Sequence, residues 1–375
     1  MILAQERLDD VALLETADPS SMLRQVASSA AQVREAARSA AEAGLGDLIA
    51  GGRPRAIVVT GMGGSGIAGE VLAAVAGPGC PVQVTTVHDY RLPGWVGAAD
   101  LVIAVSCSGA TEETRSAAEE AVRRGCRLLA VGSPGSPLAA LAEQAHAGFI
   151  GIKPSGMPRS MLWGLSVPLV VTAARLGVVD VPEHAYESAA AELERVAHLC
   201  RPDSEAFVNP AKALALDLSG TLPMIWGTSP LTGVAAARFA CQLHENGKYP
   251  AIAGVLPEAN HNQVVVFDGP FAAGPETVDP KQAGPAGGPP VPVRLVLLRD
   301  THEHPQVARR REESARIAAD RGIEVTELAA AGDLPLERLA SLVQLIDYTS
   351  VYLAIANGID PAPIAAIQEL KARIA

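Results

Sequence analysis

The chain has 375 residues and a net charge of −11, and 49% of its residues are apolar but only 3% aromatic. At about 150 residues per domain this predicts two to three domains with a sizeable core, and the acidic balance disfavours nucleic acid, whose binders carry the opposite sign. Five scattered cysteines without a CxxC fit a reducing cytoplasm, not a disulfide scaffold. The start MILAQERLDD has no secretory layout, and the longest strongly apolar stretch, Met161 to Ala174, is too short to span a bilayer.

Residues 1–50 read as an N-terminal helical segment, ended by Gly51-Gly52-Arg53-Pro54. Ala56 to Thr60 (AIVVT) is a β-branched run of the kind found in buried parallel strands. It leads into GMGGSG and a helix over 67–76. Strands follow at 82–87, 101–105 and 127–131, the second leading into SCSGATEET and a helix that ends near Arg124. Alternating strand and helix predicts a doubly wound α/β domain over 51–182. A helix over 183–199 bridges to a second α/β unit over 205–358. That unit has strands at 222–226, 294–298 and 323–328 and helices at 234–244, 306–320 and 336–357, and a short helix closes the chain over 360–375. Both halves run strand, Gly/Ser loop and helix in the same order, and Val59 and Ile225 lie roughly 165 residues apart, which suggests an internal duplication. Asp268 to Pro292 holds twelve Gly or Pro in twenty-five residues and reads as a mobile insertion in the second half.

Two loops carry the binding chemistry. Gly61, Gly63 and Gly66 satisfy G-x-G-x-x-G between a strand and a helix. The dinucleotide fingerprint also needs an acid about twenty positions on, and Asp89 comes 28 residues after Gly61. In the second loop, Ser106, Ser108, Gly109, Thr111 and Thr114 crowd a strand end where a helix begins. Hydroxyls beside the N–H groups of a helix start make a seat for a phosphate monoester. A plain N-cap needs one hydroxyl. With no Lys in the loop, this is not a Walker cradle. GMGGSGIAGE followed by SCSGATEET resembles the sugar isomerase (SIS) domain. The resemblance implies that Ser106, Ser108 and Thr111 hold a sugar phosphate, and that Gly64 and Ser65 approach it from the first loop.

The segment QLHENGKYPAIAGVLPEANHNQ, from Gln242 to Gln263, places Glu245 at a helix end and His261 sixteen residues later. Alone, each has an ordinary reading: a solvated helix-end acid and a loop histidine. Together, near the mouth of an α/β sheet, a carboxylate and an imidazole are the parts needed to move protons on a sugar. Glu245-Asn246-Gly247-Lys248, Pro257-Glu258-Ala259-Asn260-His261-Asn262, Asp360-Pro361-Ala362-Pro363, Leu370-Lys371 and Pro158-Arg159 resemble, in order, motifs of phosphoglucose isomerase and of bifunctional phosphoglucose/phosphomannose isomerases. The resemblance spans roughly residues 50 to 375 and implies two doubly wound SIS subdomains of parallel sheet. It departs from the family at Ala110, at Gln263, where an acid is usual, and in the 268–292 insertion.

The implied activity is aldose–ketose isomerisation of a hexose 6-phosphate, fructose 6-phosphate with glucose 6-phosphate and/or mannose 6-phosphate, through a cis-enediol. Glu245 is the implied proton carrier, His261 and Lys371 the ring-opening pair and Arg159 the stabiliser of the enediol charge. Lys248 structures the loop. The resemblance implies no cofactor, a cytoplasmic homodimer and a His261 supplied by the neighbouring subunit. Asp300, His302 and His304 offer zinc-type ligands but sit in a charged loop, and no metal is expected. The rival reading is a non-catalytic regulator that binds a phosphosugar, which would have no use for Glu245, His261 and Lys371 together.

Overall fold

The computed structural model describes residues 2–272 and 291–374. The expected mobile insertion at 268–292 therefore falls, over 273–290, outside the described residues. The chain divides into two compact units. One comprises residues 27–194 with 334–337; the other comprises 1–26, 195–333 and 338–375.

The unit beginning at Ala27 is built on β1 (Ala56–Thr60), β2 (Gln83–Val87), β3 (Leu101–Ser106), β4 (Arg127–Gly132) and β5 (Gly148–Gly151). They form one sheet in the order β2-β1-β3-β4-β5, parallel throughout. Every residue of β1 and β3 is buried, because crossover helices cover both faces of such a sheet. The apolar stretch read from the sequence is the helix Leu162–Arg175, and twelve of its residues are buried. It is apolar all round because it packs between the helices Ser29–Glu42 and Ile67–Ala76 and also touches β3 and β4.

The other unit carries β6 (Leu222–Gly227), β7 (Ile252–Val255), β8 (Val293–Arg299) and β9 (Glu324–Ala329). They form a parallel sheet in the order β7-β6-β8-β9. In each unit the second strand lies outside the first and the third and fourth follow on its other side, the arrangement an internal duplication produces. Trp226 stacks on Phe267 at 5.6 Å in the core below this sheet.

Two strands, β5 and β7, were not expected. Both are four-residue edge strands with partly exposed residues, so neither shows the continuous apolar run that marks a buried parallel strand. The helical segment 1–50 is made of five helices: Ile2–Asp9, Val11–Ala17, Met22–Ala27, Ser29–Glu42 and Gly46–Ala50. Asp10 caps the second by accepting from the N–H groups of Ala12 and Leu13, and Pro19 and Gly44 fall in the breaks. Among the described residues one helix, Pro335–Ala356, is long and apolar enough to cross a membrane, but 94% of its apolar window is buried inside the protein.

Candidate active site

The hydroxyl loop leaves β3 at its C-terminal end. Thr111 occupies the N-cap position of the helix Glu112–Arg123 but makes no capping bond. Its hydroxyl lies 3.0 Å from the Ser106 hydroxyl instead. Ser106 Oγ, fully buried, also accepts the Gly109 N–H at 3.0 Å, and exposed Ser108 accepts the Ala110 N–H at 3.2 Å. The loop is thus stapled by its own hydroxyls, while the helix N–H groups have no side-chain cap and can receive an anion. Ser108 Oγ keeps its own O–H to donate. Gly109 is required here: its φ is +65°, and a Cβ would lie 2.0 Å from Ser136 Oγ. Thr114 is drawn fully into the core. Burial pushes the Cys107 thiol up from its ordinary pKa, so it stays a neutral thiol between the serines.

The glycine loop closes on this one. Ser65 Oγ accepts the Cys107 N–H at 3.1 Å. Gly64 lies under the 3-10 turn Pro158–Ser160, and a Cβ there would come within 2.9 Å of the Pro158 carbonyl oxygen. That contact brings Arg159, only 4% exposed, against the first loop. The turn is held from below by Gln32, whose Nε2 donates to the Ser160 carbonyl at 2.8 Å. Gly64, Ser65, Ser106, Ser108, Thr111 and Arg159 therefore converge on one edge of one sheet.

The remaining candidates lie in the other unit. Helix Pro230–Glu245 leaves β6 through Thr228 and Ser229 and runs back along the sheet for 16 residues, about 24 Å at 1.5 Å per residue. Glu245 thus sits at the edge where the strands begin, not at the mouth where they end. That corrects the sequence expectation, which reckoned by proximity to the loop and not by helix direction. His261 lies in the helix Ala259–Asn262, after β7 has crossed back to the C-terminal edge. Ala259 and Phe267, on either side of His261, pack with Trp226 and Ala318, and Asn260 Nδ2 donates to Ser314 Oγ at 2.7 Å, so His261 is carried beside the helix Pro305–Asp320, while Glu245 ends a different helix. His261 and Lys371 are both exposed, and the helix Ala365–Ile374 that carries Lys371 buries none of its residues.

Around half-buried Glu245 the chain is firmly tied. Lys248 adopts a φ of +51°. Its ammonium donates to the carbonyls of Glu245 at 2.8 Å, Asn246 at 3.3 Å, Asp360 at 3.2 Å and Pro361 at 3.0 Å. It joins the Glu-Asn-x-Lys loop to the segment that precedes the Lys371 helix. Fully buried Asn246 donates to Ser350 Oγ at 2.9 Å. Arg238 and Gln242, on the Glu245 face of the helix by their spacing, both bond the buried Asp347 carboxylate, Arg238 through 2.8 Å and 2.5 Å contacts. Sequence reasoning passed over this trio. The available signal was Asp347 itself, the one charge in the apolar run from Leu339 to Ala356. At Gln263, the departure from the expected acid, the amide accepts from Trp226 Nε1 at 2.6 Å and donates to the Ala253 carbonyl at 3.0 Å. A carboxylate cannot make the second bond.

Two doubly wound parallel sheets, one carrying an anion-ready hydroxyl loop, place the protein among the SIS-fold proteins. Residues 207–374 match the family described as bacterial phospho-glucose isomerase C-terminal SIS domain. A bifunctional phosphoglucose/phosphomannose isomerase of Caldicellulosiruptor bescii is 34% identical over 85% of this chain and 89% of its own. Another, from Thermoplasma acidophilum, is 31% identical over 85% and 89%. A glucose-6-phosphate isomerase structure from Chlamydia trachomatis shares the fold with a TM-score of 0.64 at 14% identity, covering 93% of this chain and 77% of that one. The chain belongs to the family of bifunctional phosphoglucose/phosphomannose isomerases.

Proposed function

We propose that the chain is an aldose–ketose isomerase that interconverts fructose 6-phosphate with glucose 6-phosphate and/or mannose 6-phosphate through a cis-enediol. The observation that carries this reading is the likeness to a curated isomerase along 85% of the chain, joined to a helix start left uncapped beside Ser106, Ser108 and Thr111. The phosphate is a remote handle whose binding fixes the sugar for chemistry at its other end. His261 and Lys371 open the ring by moving protons at the ring oxygen and the anomeric hydroxyl. Glu245 carries a proton between C2 and C1, as a positioned carboxylate can. Arg159 stabilises the enediolate charge. Only protons move and no net oxidation occurs, so the scheme calls for neither redox cofactor nor metal.

The enzyme works as a cytoplasmic homodimer in this reading, with His261 supplied by the neighbouring copy. What supports the exchange is that separate elements carry the two groups within one chain: Glu245 ends the helix Pro230–Glu245, and His261 lies in the segment that packs beside the helix Pro305–Asp320. Incubating the protein with fructose 6-phosphate and identifying the aldoses formed is the direct test. Glucose 6-phosphate, mannose 6-phosphate or both are expected, and a folded protein that forms neither is not this enzyme.

Two further results are expected. The double variant Ser106→Ala, Ser108→Ala raises KM by tenfold or more, since each hydrogen bond to a charged group contributes about 1.5–3 kcal/mol. An unchanged KM in the folded variant removes the phosphate assignment. Mixing an inactive Glu245→Gln chain with an inactive His261→Ala chain restores activity, because a mixed dimer assembles one site with both native groups. A mixture no more active than its components places His261 in its own chain's site.

A further inference from the structure

The duplication lets each loop of one unit be matched with its counterpart. Gly61 directly follows β1 and Gly227 is the last residue of β6, and both are tightly enclosed: a Cβ would lie 3.0 Å from the Ser65 carbonyl oxygen at Gly61, and 2.4 Å from the Gly233 nitrogen at Gly227. With these two glycines aligned, Thr60 corresponds to Trp226. Thr60 pairs with Ala104 and Trp226 with Leu297. Three residues after Ala104 and Leu297, just past the ends of β3 and β8, come Cys107 and Asp300. Their backbones are held alike: the Cys107 N–H donates to Ser65 Oγ at 3.1 Å and the Asp300 N–H to Thr228 Oγ1 at 2.9 Å, in each case a hydroxyl of the first loop. Asp300 thus stands in the position between Ser106 and Ser108 of the hydroxyl loop.

The side chain at that position differs in kind. Asp300 is 4% exposed. Its Oδ2 accepts from the Ser229 hydroxyl at 2.6 Å, its Oδ1 accepts from the His302 N–H at 3.3 Å, and Arg338 Nε lies 2.9 Å from Oδ1. Arg338 is itself 6% exposed. A first-loop hydroxyl, a backbone N–H of the third-strand loop and a buried guanidinium together hold one anion, and that anion belongs to the chain.

The geometry points to a second, vestigial phosphate seat in this unit, closed from within by the Asp300 carboxylate. The inference rests on the reading of the Ser106 loop as the open seat. It means that each chain takes one phosphosugar, and that the closed seat serves to anchor Ser229, the capping residue at the start of the helix that ends in Glu245. Opening it should create a site for a tetrahedral oxyanion, because Asp300→Ser removes the internal anion and leaves Arg338 buried without that carboxylate.

The test is thermal unfolding in inorganic phosphate, with sodium chloride of equal ionic strength as control. It is run on the Ser106→Ala, Ser108→Ala chain so that the open seat is silent. That chain should show no saturable response. With Asp300→Ser added, the melting temperature should fall, then recover saturably with phosphate and not with chloride, as expected for a ligand that binds only the folded state. Three results overturn the proposal: no saturable recovery in the folded triple variant, recovery with formate but not phosphate, or a phosphate response equally large while Asp300 is still in place. If Asp300→Ser does not fold, calorimetric titration of the unaltered protein decides. One phosphosugar per chain is expected, and two would show the second seat to be open. Failure of the function reading looks different: the unaltered protein would bind no fructose 6-phosphate, whatever Asp300→Ser does in phosphate.

Discussion

Glu245→Gln should abolish isomerisation while phosphosugar binding stays within a few-fold of the unaltered protein. Moving a proton from C2 to C1 needs a group that takes it and returns it on the same face of the sugar. A carboxylate does this; a carboxamide accepts no proton near neutrality, and loss of a general base typically costs about 10²–10⁴-fold in rate. The two side chains are nearly isosteric. Lys248 donates to the Glu245 backbone carbonyl, a bond that the substitution leaves in place. In the proposed reading affinity rests on Ser106, Ser108 and Thr111, in the other compact unit. The measurement is exchange of solvent deuterium into C2 of the substrate alongside calorimetric binding. Exchange at the unaltered rate in the variant would show that another group is the base. Loss of binding together with loss of exchange would show that Glu245 holds the sugar and does not act on it.

Most of this architecture was readable because buried parallel strands are continuous apolar runs. AIVVT and LVIAV announce β1 and β3 directly, and the shared order of the halves is repeated in the sheets as β2-β1-β3-β4 and β7-β6-β8-β9. What escaped is what tertiary contacts decide. β5 and β7 are strands only because a neighbour offers its free edge, and seven of their eight residues keep some exposure to solvent. The loop hydroxyls were legible as a cluster. Their division of labour was not: Thr111 forgoes the cap to bond Ser106, a choice made by loop geometry and not by composition. The placement of Glu245 failed for a different reason. A helix reverses direction along its strand, so a residue sixteen positions after the loop is carried to the far edge. Arg238 and Asp347 are 109 residues apart, beyond any local pattern, although a lone acid inside an apolar helix is itself a sign that a buried partner exists.

Asp347→Ala should destabilise the fold by about 3–5 kcal/mol, the usual cost of removing one member of a buried ion pair. The side chains of Arg238 and Asp347 are each 4% exposed, so little water can replace the lost carboxylate. The pair is bidentate, with Nε on Oδ1 at 2.8 Å and Nη2 on Oδ2 at 2.5 Å, and Gln242 Nε2 adds a third bond, to Oδ1, at 3.1 Å. A planar guanidinium matches a carboxylate in this way, which a lysine cannot do. Removing the charge from both sides is a different experiment. Arg238→Met with Asp347→Leu leaves no buried charge from the pair, and packed apolar replacements of buried pairs are often neutral or stabilising. The double variant should therefore unfold at a higher denaturant concentration than Asp347→Ala alone, a coupling that a cycle of single and double variants measures. If the double variant is less stable than either single, the site depends on packing around these side chains and not on the buried charge. The catalytic consequence follows from helix geometry. Arg238, Gln242 and Glu245 share a face by their spacing of four and three, so the Asp347 carboxylate fixes the rotation of the helix turn that presents Glu245, the proposed base. In the folded Asp347→Ala enzyme kcat should fall more than KM rises, because the proposed phosphate seat lies on residues this change does not touch.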